Sequence, residues 1–174
     1  MRLFVSVGVP EGIKLKVARL QDELPKESIK PVRPENMHLT LSFLGEVSES
    51  AFPDVVSSLS SVEFSPFDVS VKGVGVFPRP SYVKVVWAGV DSPPLNDLAS
   101  NVASSLSGFD GDGRFSAHLT LARVRKKIDI MPFLEKHADD DFGDFRVSSF
   151  KLMQSRLGPD GPTYSVLEEF TRGK

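Results

Sequence analysis

The sequence predicts layered sheets with helices on their outer faces, an α+β or α/β domain of two similar lobes, and three observations predict it. The string His38-Leu39-Thr40-Leu41 returns unchanged as His118-Leu119-Thr120-Leu121, and its strict polar and apolar alternation is that of a half-buried strand. Segments with strand and helix patterns follow in the order strand, helix, strand, helix, strand, and the order is then repeated with one strand added. A length of 174 residues suits one domain, or two small lobes fused over a shared core, that buries most of its apolar surface without staples. The repeats run over 1–80 and 82–162 of a single domain, 1–174.

Arg2 to Val7 alternates and is rich in Val, Leu and Phe, a strand ended by Gly8-Val9-Pro10. Pro10 and Glu11 suit a helix start, and Ile13, Val17, Leu20 and Leu24 give that helix one apolar stripe. Pro25, Pro31 and Pro34 predict an irregular connection to the His38 strand, which Gly45 closes. Ser48 or Ser50 can cap a helix with Phe52, Val55, Val56 and Leu59 turned inward, ending before Phe64. Phe67 to Val71 alternates again and runs out through Gly73 to Pro78, where Gly73-Val74-Gly75 reads as a bulge or strand exit.

The second half opens with an apolar strand, Tyr82 to Trp87, followed by Gly89-Val90 as Val7 is followed by Gly8-Val9. A proline-led helix with Leu95, Leu98, Val102 and Leu106 on one face comes next, then a glycine-rich turn from Gly108 to Gly113 and the second His-Leu-Thr-Leu strand. Ile128 to Leu134 is a short helix weakened by Pro132. Phe145 to Met153 is the counterpart of the Phe67 strand, and a Gly158 to Pro162 turn leads into a last strand, Tyr164 to Phe170.

Composition narrows the function. With no cysteine there is no thiol nucleophile, no Cys-based zinc or iron–sulfur site and no disulfide framework. Glu11, Lys14 and Lys16 break the opening apolar run, so a soluble protein of the cytoplasm is expected. A net charge of -2 argues against a large nonspecific nucleic-acid footprint but allows a local basic cleft. Neither a Gly-x-Ser-x-Gly elbow nor a phosphate-binding glycine fingerprint occurs.

Two of only three histidines therefore stand in identical settings. Imidazole titrates near neutrality, so one can take a proton while the other gives one, on either side of a phosphodiester and without a metal. The threonines, two residues on and so on the same strand face, can donate to a nonbridging phosphate oxygen. The leucines point the other way, into the core. His137, among Asp139, Asp140 and Asp141, is expected at the surface, in a solvated acidic loop. Arg33 precedes the first motif, and Arg123, Arg125, Lys126 and Lys127 follow the second. Arg123 lies five residues past His118, an odd offset that turns it away from the histidine face unless the strand twists or bulges, or its side chain curls round the strand end. A guanidinium within reach would clamp phosphate.

The stretches Val32 to Val47, Gly73 to Pro78, Val86 to Val90, Phe115 to Arg123 and Gln154 to Leu157, with Arg2-Leu3-Phe4-Val5 and Gly161-Pro162-Thr163-Tyr164, carry a resemblance over nearly the whole chain. They resemble the two-histidine phosphoesterases, in the branch of the RNA 2',3'-cyclic phosphodiesterases, historically called 2'-5' RNA ligases. The resemblance implies an α+β bilobal fold, with two antiparallel-rich sheets flanking a central cleft and helices outside. It implies metal-independent opening of 2',3'-cyclic phosphate at RNA ends to a 2'-phosphomonoester, with no cofactor and no metal. His38 would be the general acid on the departing 3' oxygen and His118 the base that activates water. Thr40 and Thr120 would hold the phosphate, and Arg123 would bind substrate. Its partners would be RNA ends, tRNA fragments among them, with no membrane and a monomeric protein. Phe4 and Phe43 alternate so that each can be cleft or core, and core is expected for both.

Two positions depart from the family's pattern. Ala117 stands where a proline commonly precedes the second histidine, and Pro31 stands where an aromatic often precedes Val-Arg-Pro, which removes a base-stacking contact there. The alternatives to hydrolysis are 2'-5' ligation of tRNA halves, attack on another small cyclic phosphate such as an ADP-ribose derivative, and noncatalytic RNA-end binding.

Overall fold

The computed structural model describes residues 1–109, 111 and 114–172. Among the described residues nine strands form two sheets, and every strand pair is antiparallel. The first sheet has the order β3(Leu39–Glu46), β1(Arg2–Val7), β8(Ser149–Gly158), β9(Gly161–Thr171). The second has the order β2(Ile29–Pro31), β6(His118–Val124), β5(Tyr82–Asp91), β4(Phe67–Arg79), β7(Asp141–Val147). The expected α+β architecture of two antiparallel sheets, with four α-helices, is the observed one.

The sheets do not follow the two halves of the chain. β1 lies between β3 and β8, and β5 lies between β6 and β4, so each motif strand pairs with its own half while the next neighbour comes from the other half. The helices cross as well. α1(Glu11–Arg19) leaves β1 yet packs against β7 of the other sheet, and α3(Pro93–Ser105) leaves β5 yet packs against β3. Leu39, Leu41, Leu119 and Leu121 are all buried, as alternation predicts. Each side chain so removed from water contributes about 1.5–3 kcal/mol, which fixes the two histidine strands by their backs.

Six elements differ from expectation. The first helix ends at Arg19 and tightens into a 3-10 turn over Leu20–Glu23. Within the proline-rich connection Ile29–Pro31 is a strand, at the sheet edge beside β6, where proline's missing N–H costs no ladder bond. α2(Phe52–Ser60) is flanked by Ala51, whose N–H donates to the Ser48 hydroxyl at 3.2 Å, so Ser48 steadies the preceding turn rather than capping the helix. α4 covers Met131–His137 with Pro132 in its first turn, a position proline suits. Phe145 to Met153 is two strands: β7 ends at Val147, β8 begins at Ser149, and they belong to different sheets. Phe67 to Pro78 is instead one continuous strand with a bulge between Val71 and Val74. Of the glycine-rich turn, Asp110, Asp112 and Gly113 lie outside the described residues.

His137 is buried rather than exposed. Its Nδ1 pairs with Asp140 Oδ2 at 2.6 Å and its Nε2 lies 2.7 Å from Glu23 Oε2, tying α4 to the turn after α1. Lys136 pairs with the same Glu23, and these neighbours hold the Glu23 carboxyl below its usual range.

Candidate active site

The two motifs enter the cleft with the same local geometry. His38 Nδ1 lies 2.7 Å from the Asn36 carbonyl, and His118 Nδ1 lies 2.7 Å from the Ser116 carbonyl. A carbonyl only accepts, so each Nδ1 carries the proton and each neutral ring keeps its Nε2 lone pair free. Both hydrogen bonds span two residues, which explains why the motif works as a local cassette at the start of each strand.

The two rings sit in different beds. His38 stacks on Phe4 (centroids 4.9 Å) and meets the edge of Tyr164 at 5.1 Å. His118 meets Phe77 edge-on at 5.0 Å, and Trp87 lies 6.4 Å away. Burial holds the His38 pKa down to about 4; the Asn36 carbonyl opposes this, while the Lys14 ammonium and the facing His118 add to it. His118 is also pushed below its ordinary value, first by burial and then by Arg123, against the Ser116 carbonyl. The imidazoles are thus near enough for charge on one to disfavour charge on the other.

A bulge decides where Arg123 goes. Trp87 pairs with Thr120 and Val86 with Ala122, leaving Leu121 as an extra residue in β6. Leu121 and Ala122 are consecutively buried, and Arg123 is exposed. One inserted residue reverses the alternation, so Arg123 faces the side of His118 and Thr120, and its charge is felt by His118 and Tyr164. Lys30 is its partner on the neighbouring strand. The Tyr164 phenol is raised by burial, with Arg123 and Arg2 opposing.

The same device occurs in the first lobe. Ser6 pairs with Thr40 and Val5 with Ser42, leaving Leu41 over, after which Phe43 is 55% exposed with its ring 6.2 Å from that of Phe4. Phe43 is therefore a cleft residue and not core. Phe4 is buried as expected, but it serves the site as the ring beneath His38. Tyr164, Phe77, Trp87 and Lys14 have no role in the site on the sequence alone, where strand aromatics and a helix lysine are ordinary. The stretches that carry the resemblance, Gly73 to Pro78 and Val86 to Val90, were the available signal, and in the fold Trp87 pairs with Thr120 of the second motif.

Arg33 Nη2 and Asn36 Nδ2 both donate to the Pro162 carbonyl, at 3.5 and 3.1 Å, so the segment before His38 is fastened to the start of β9. Among the described residues no cluster of three metal-binding side chains occurs, and no helix is long and apolar enough to cross a membrane.

Two sheets that each deliver a His-x-Thr strand to a shared cleft define the two-histidine phosphoesterase class. A family model described as LigT-like phosphoesterase matches residues 7–87. The chain is 44% identical to the RNA 2',3'-cyclic phosphodiesterase of Archaeoglobus fulgidus, over 98% of this chain and 99% of that one. It is 35% identical to the enzyme of the same name from Methanocaldococcus jannaschii, over 98% and 100%. Among solved structures it superposes on a Thermus thermophilus protein with a TM-score of 0.83 at 32% identity, covering 98% and 97%. On Escherichia coli LigT complexed with 3'-AMP the TM-score is 0.84 at 26% identity, covering 99% and 98%. This chain belongs to the LigT-like phosphoesterase family, among relatives named RNA 2',3'-cyclic phosphodiesterase.

Proposed function

We propose that the protein hydrolyses the 2',3'-cyclic phosphate at RNA ends, leaving a 2'-phosphomonoester and a 3' hydroxyl. The observation that carries this reading is the pair of imidazoles, each locked through Nδ1 to a backbone carbonyl two residues earlier, with both Nε2 atoms left for the cleft. Relatives that bear the name of this activity support it, as does the 3'-AMP held by the E. coli structure.

In the proposed reaction His118 Nε2 takes a proton from water, and the water oxygen forms the new bond to phosphorus. The bond from phosphorus to the 3' oxygen breaks, and His38 Nε2–H protonates that oxygen. Thr40 and Thr120 donate to the nonbridging oxygens, and Arg123 supplies a guanidinium to the same anion. His38 is neutral in the free protein, so it must gain its proton as substrate arrives. An anion bound beside the His38 ring favours its imidazolium and supplies the driving force. Phe43 offers an exposed face to the terminal base. Both proton transfers are made by imidazole, so the scheme calls on no metal.

Both histidines come from one chain, so a monomer suffices for the proposed reaction. RNA ends as substrates, those of cleaved tRNA among them, are in keeping with a protein of the cytoplasm. The test is incubation with a short RNA ending in 2',3'-cyclic phosphate in excess EDTA, with the product's regiochemistry read by chromatography. Conversion to the 2'-phosphate is expected, whereas a 3'-phosphate or no conversion would refute the reading.

A further inference from the structure

We propose that the tip of the β4–β5 hairpin, formed by Arg79, Tyr82 and Lys84, is a second RNA subsite that holds nucleotides upstream of the cyclic end. It rests on the reading that the cleft takes an RNA end, and it adds a contact outside the reacting groups. Val85 stands in register between Phe77, which touches His118, and Arg123. The two strands continue past this row to the pair Arg79 and Tyr82. Two strand steps separate Phe77, the partner of Val85, from Arg79, the partner of Tyr82, about 7 Å, so the tip lies just beyond the Arg123 end of the cleft.

The tip has the composition of a single-strand binding platform. Tyr82 is 51% exposed, with the Arg79 guanidinium 5.6 Å and the Lys84 ammonium 4.8 Å from its ring centre. The ion pairs among the described residues leave both cations without a carboxylate. An exposed ring beside two such cations offers aromatic surface to a base and charge to the flanking phosphates, the combination that binds single-stranded nucleic acid with little sequence preference. A net negative protein that grips RNA must place its cations locally, and these lie along β4 and β5 from the cross-strand row that holds Lys30 and Arg123. The consequence is discrimination by length: an oligonucleotide end engages both sites, and a cyclic mononucleotide only the first.

The test is fluorescence anisotropy with a labelled oligoribonucleotide whose last residue is a 2'-deoxynucleoside 3'-phosphate, which cannot cyclise. Wild type is compared with Tyr82→Ala, Tyr82→Phe and the double variant Arg79→Ala/Lys84→Ala, and kcat/KM is measured on 2',3'-cyclic AMP. Tyr82→Ala should weaken oligonucleotide binding roughly 10- to 100-fold, as expected for loss of one stacked base. Tyr82→Phe should keep the affinity, and the double variant should flatten its salt dependence. Turnover of the cyclic mononucleotide should be unchanged in all three. An oligonucleotide bound no better than 3'-AMP by wild type, or equally by every variant, would overturn the subsite, as would equal losses on both ligands. Should the binding pattern appear in a protein that hydrolyses no cyclic phosphate, the subsite stands and the proposed reaction fails.

Discussion

Phe43 and Arg123 occupy the same place in the two lobes. Each lies five residues past its motif histidine, beyond a one-residue bulge at Leu41 or Leu121 that turns it onto the histidine face. The lobes are alike up to the threonine and then diverge, one offering an aromatic ring and the other a guanidinium. A symmetric pair of imidazoles cannot distinguish the two ester oxygens of a cyclic phosphate. In the proposed reaction the Phe43 and Arg123 difference can, because it would set an exposed aromatic ring on one side of the phosphate and a cation on the other.

Arg123→Ala is expected to lower kcat/KM on cyclic phosphate substrates by about 10- to 100-fold, the loss typical of one charge-assisted contact to a buried anion. Arg123→Lys should recover only part, because an ammonium keeps the charge but lacks the planar fork. Equal kinetics for wild type and Arg123→Ala would remove the guanidinium from the site.

For the histidines, His38→Asn and His118→Asn should each lower kcat by roughly 100- to 10,000-fold, the range for a positioned proton-transfer group. Asparagine is the better probe at 38, since truncation to alanine would uncover Phe4, buried under the imidazole. Thr40→Ala and Thr120→Ala should lose roughly 10- to 1000-fold, as for one donor to a developing charge. Steady-state kinetics checks all four, and full activity in either histidine variant would end the paired scheme.

The pH dependence follows from burial. In the free protein the His38 pKa is held at about 4 and that of His118 below its usual value. One proton must be present on this pair, so kcat/KM is expected to peak on the acid side of neutrality, with apparent values that belong to the pair. The stability effect has the opposite sense. A histidine whose folded pKa is depressed contributes stability that is full above about pH 6.5 and is lost as pH falls towards about 4, because the unfolded chain binds the proton first. NMR titration of the His38 ring should show the low value, and saturating inorganic phosphate should raise it. A value that stays near 4 with phosphate bound would move the general acid to His118.

The repeated tetrapeptide made the site's centre legible, because a four-residue string in register with a strand carries its own geometry: ring, hydroxyl and backbone lock. What lay beyond it depended on contacts remote in sequence. The bulges leave only the doublets Leu41-Ser42 and Leu121-Ala122 as a trace, and alternation alone placed Arg123 on the wrong face and Phe43 in the core. The break at Ser148 carries neither Gly nor Pro, so Phe145 to Met153 looked like one strand although its halves belong to different sheets. His137 looked exposed beside three aspartates, yet its carboxylate partner Glu23 lies 114 positions away.

Gly75 supplies a test of how the second lobe holds His118. The Trp87 ring lies flush on Gly75, where a Cβ would come within 2.2 Å of Cη2 and 2.3 Å of Cζ2. Those atoms belong to a large ring already packed 5.2 Å from Phe77, so the ring cannot swing aside without pressing on the groups that bed His118. Gly75→Ala should therefore displace the indole and lower kcat, with a smaller effect on Tm than on turnover. Trp87 is the only tryptophan, so intrinsic fluorescence reports the displacement directly. Gly108→Ala, where a Cβ would meet nothing within 4 Å among the described residues, should change neither signal. If Gly75→Ala shifts the fluorescence and leaves kcat intact, the indole moves without consequence and Phe77 alone positions the imidazole. If both change together, the absence of a side chain at 75 is what lets Trp87 hold the second histidine in place.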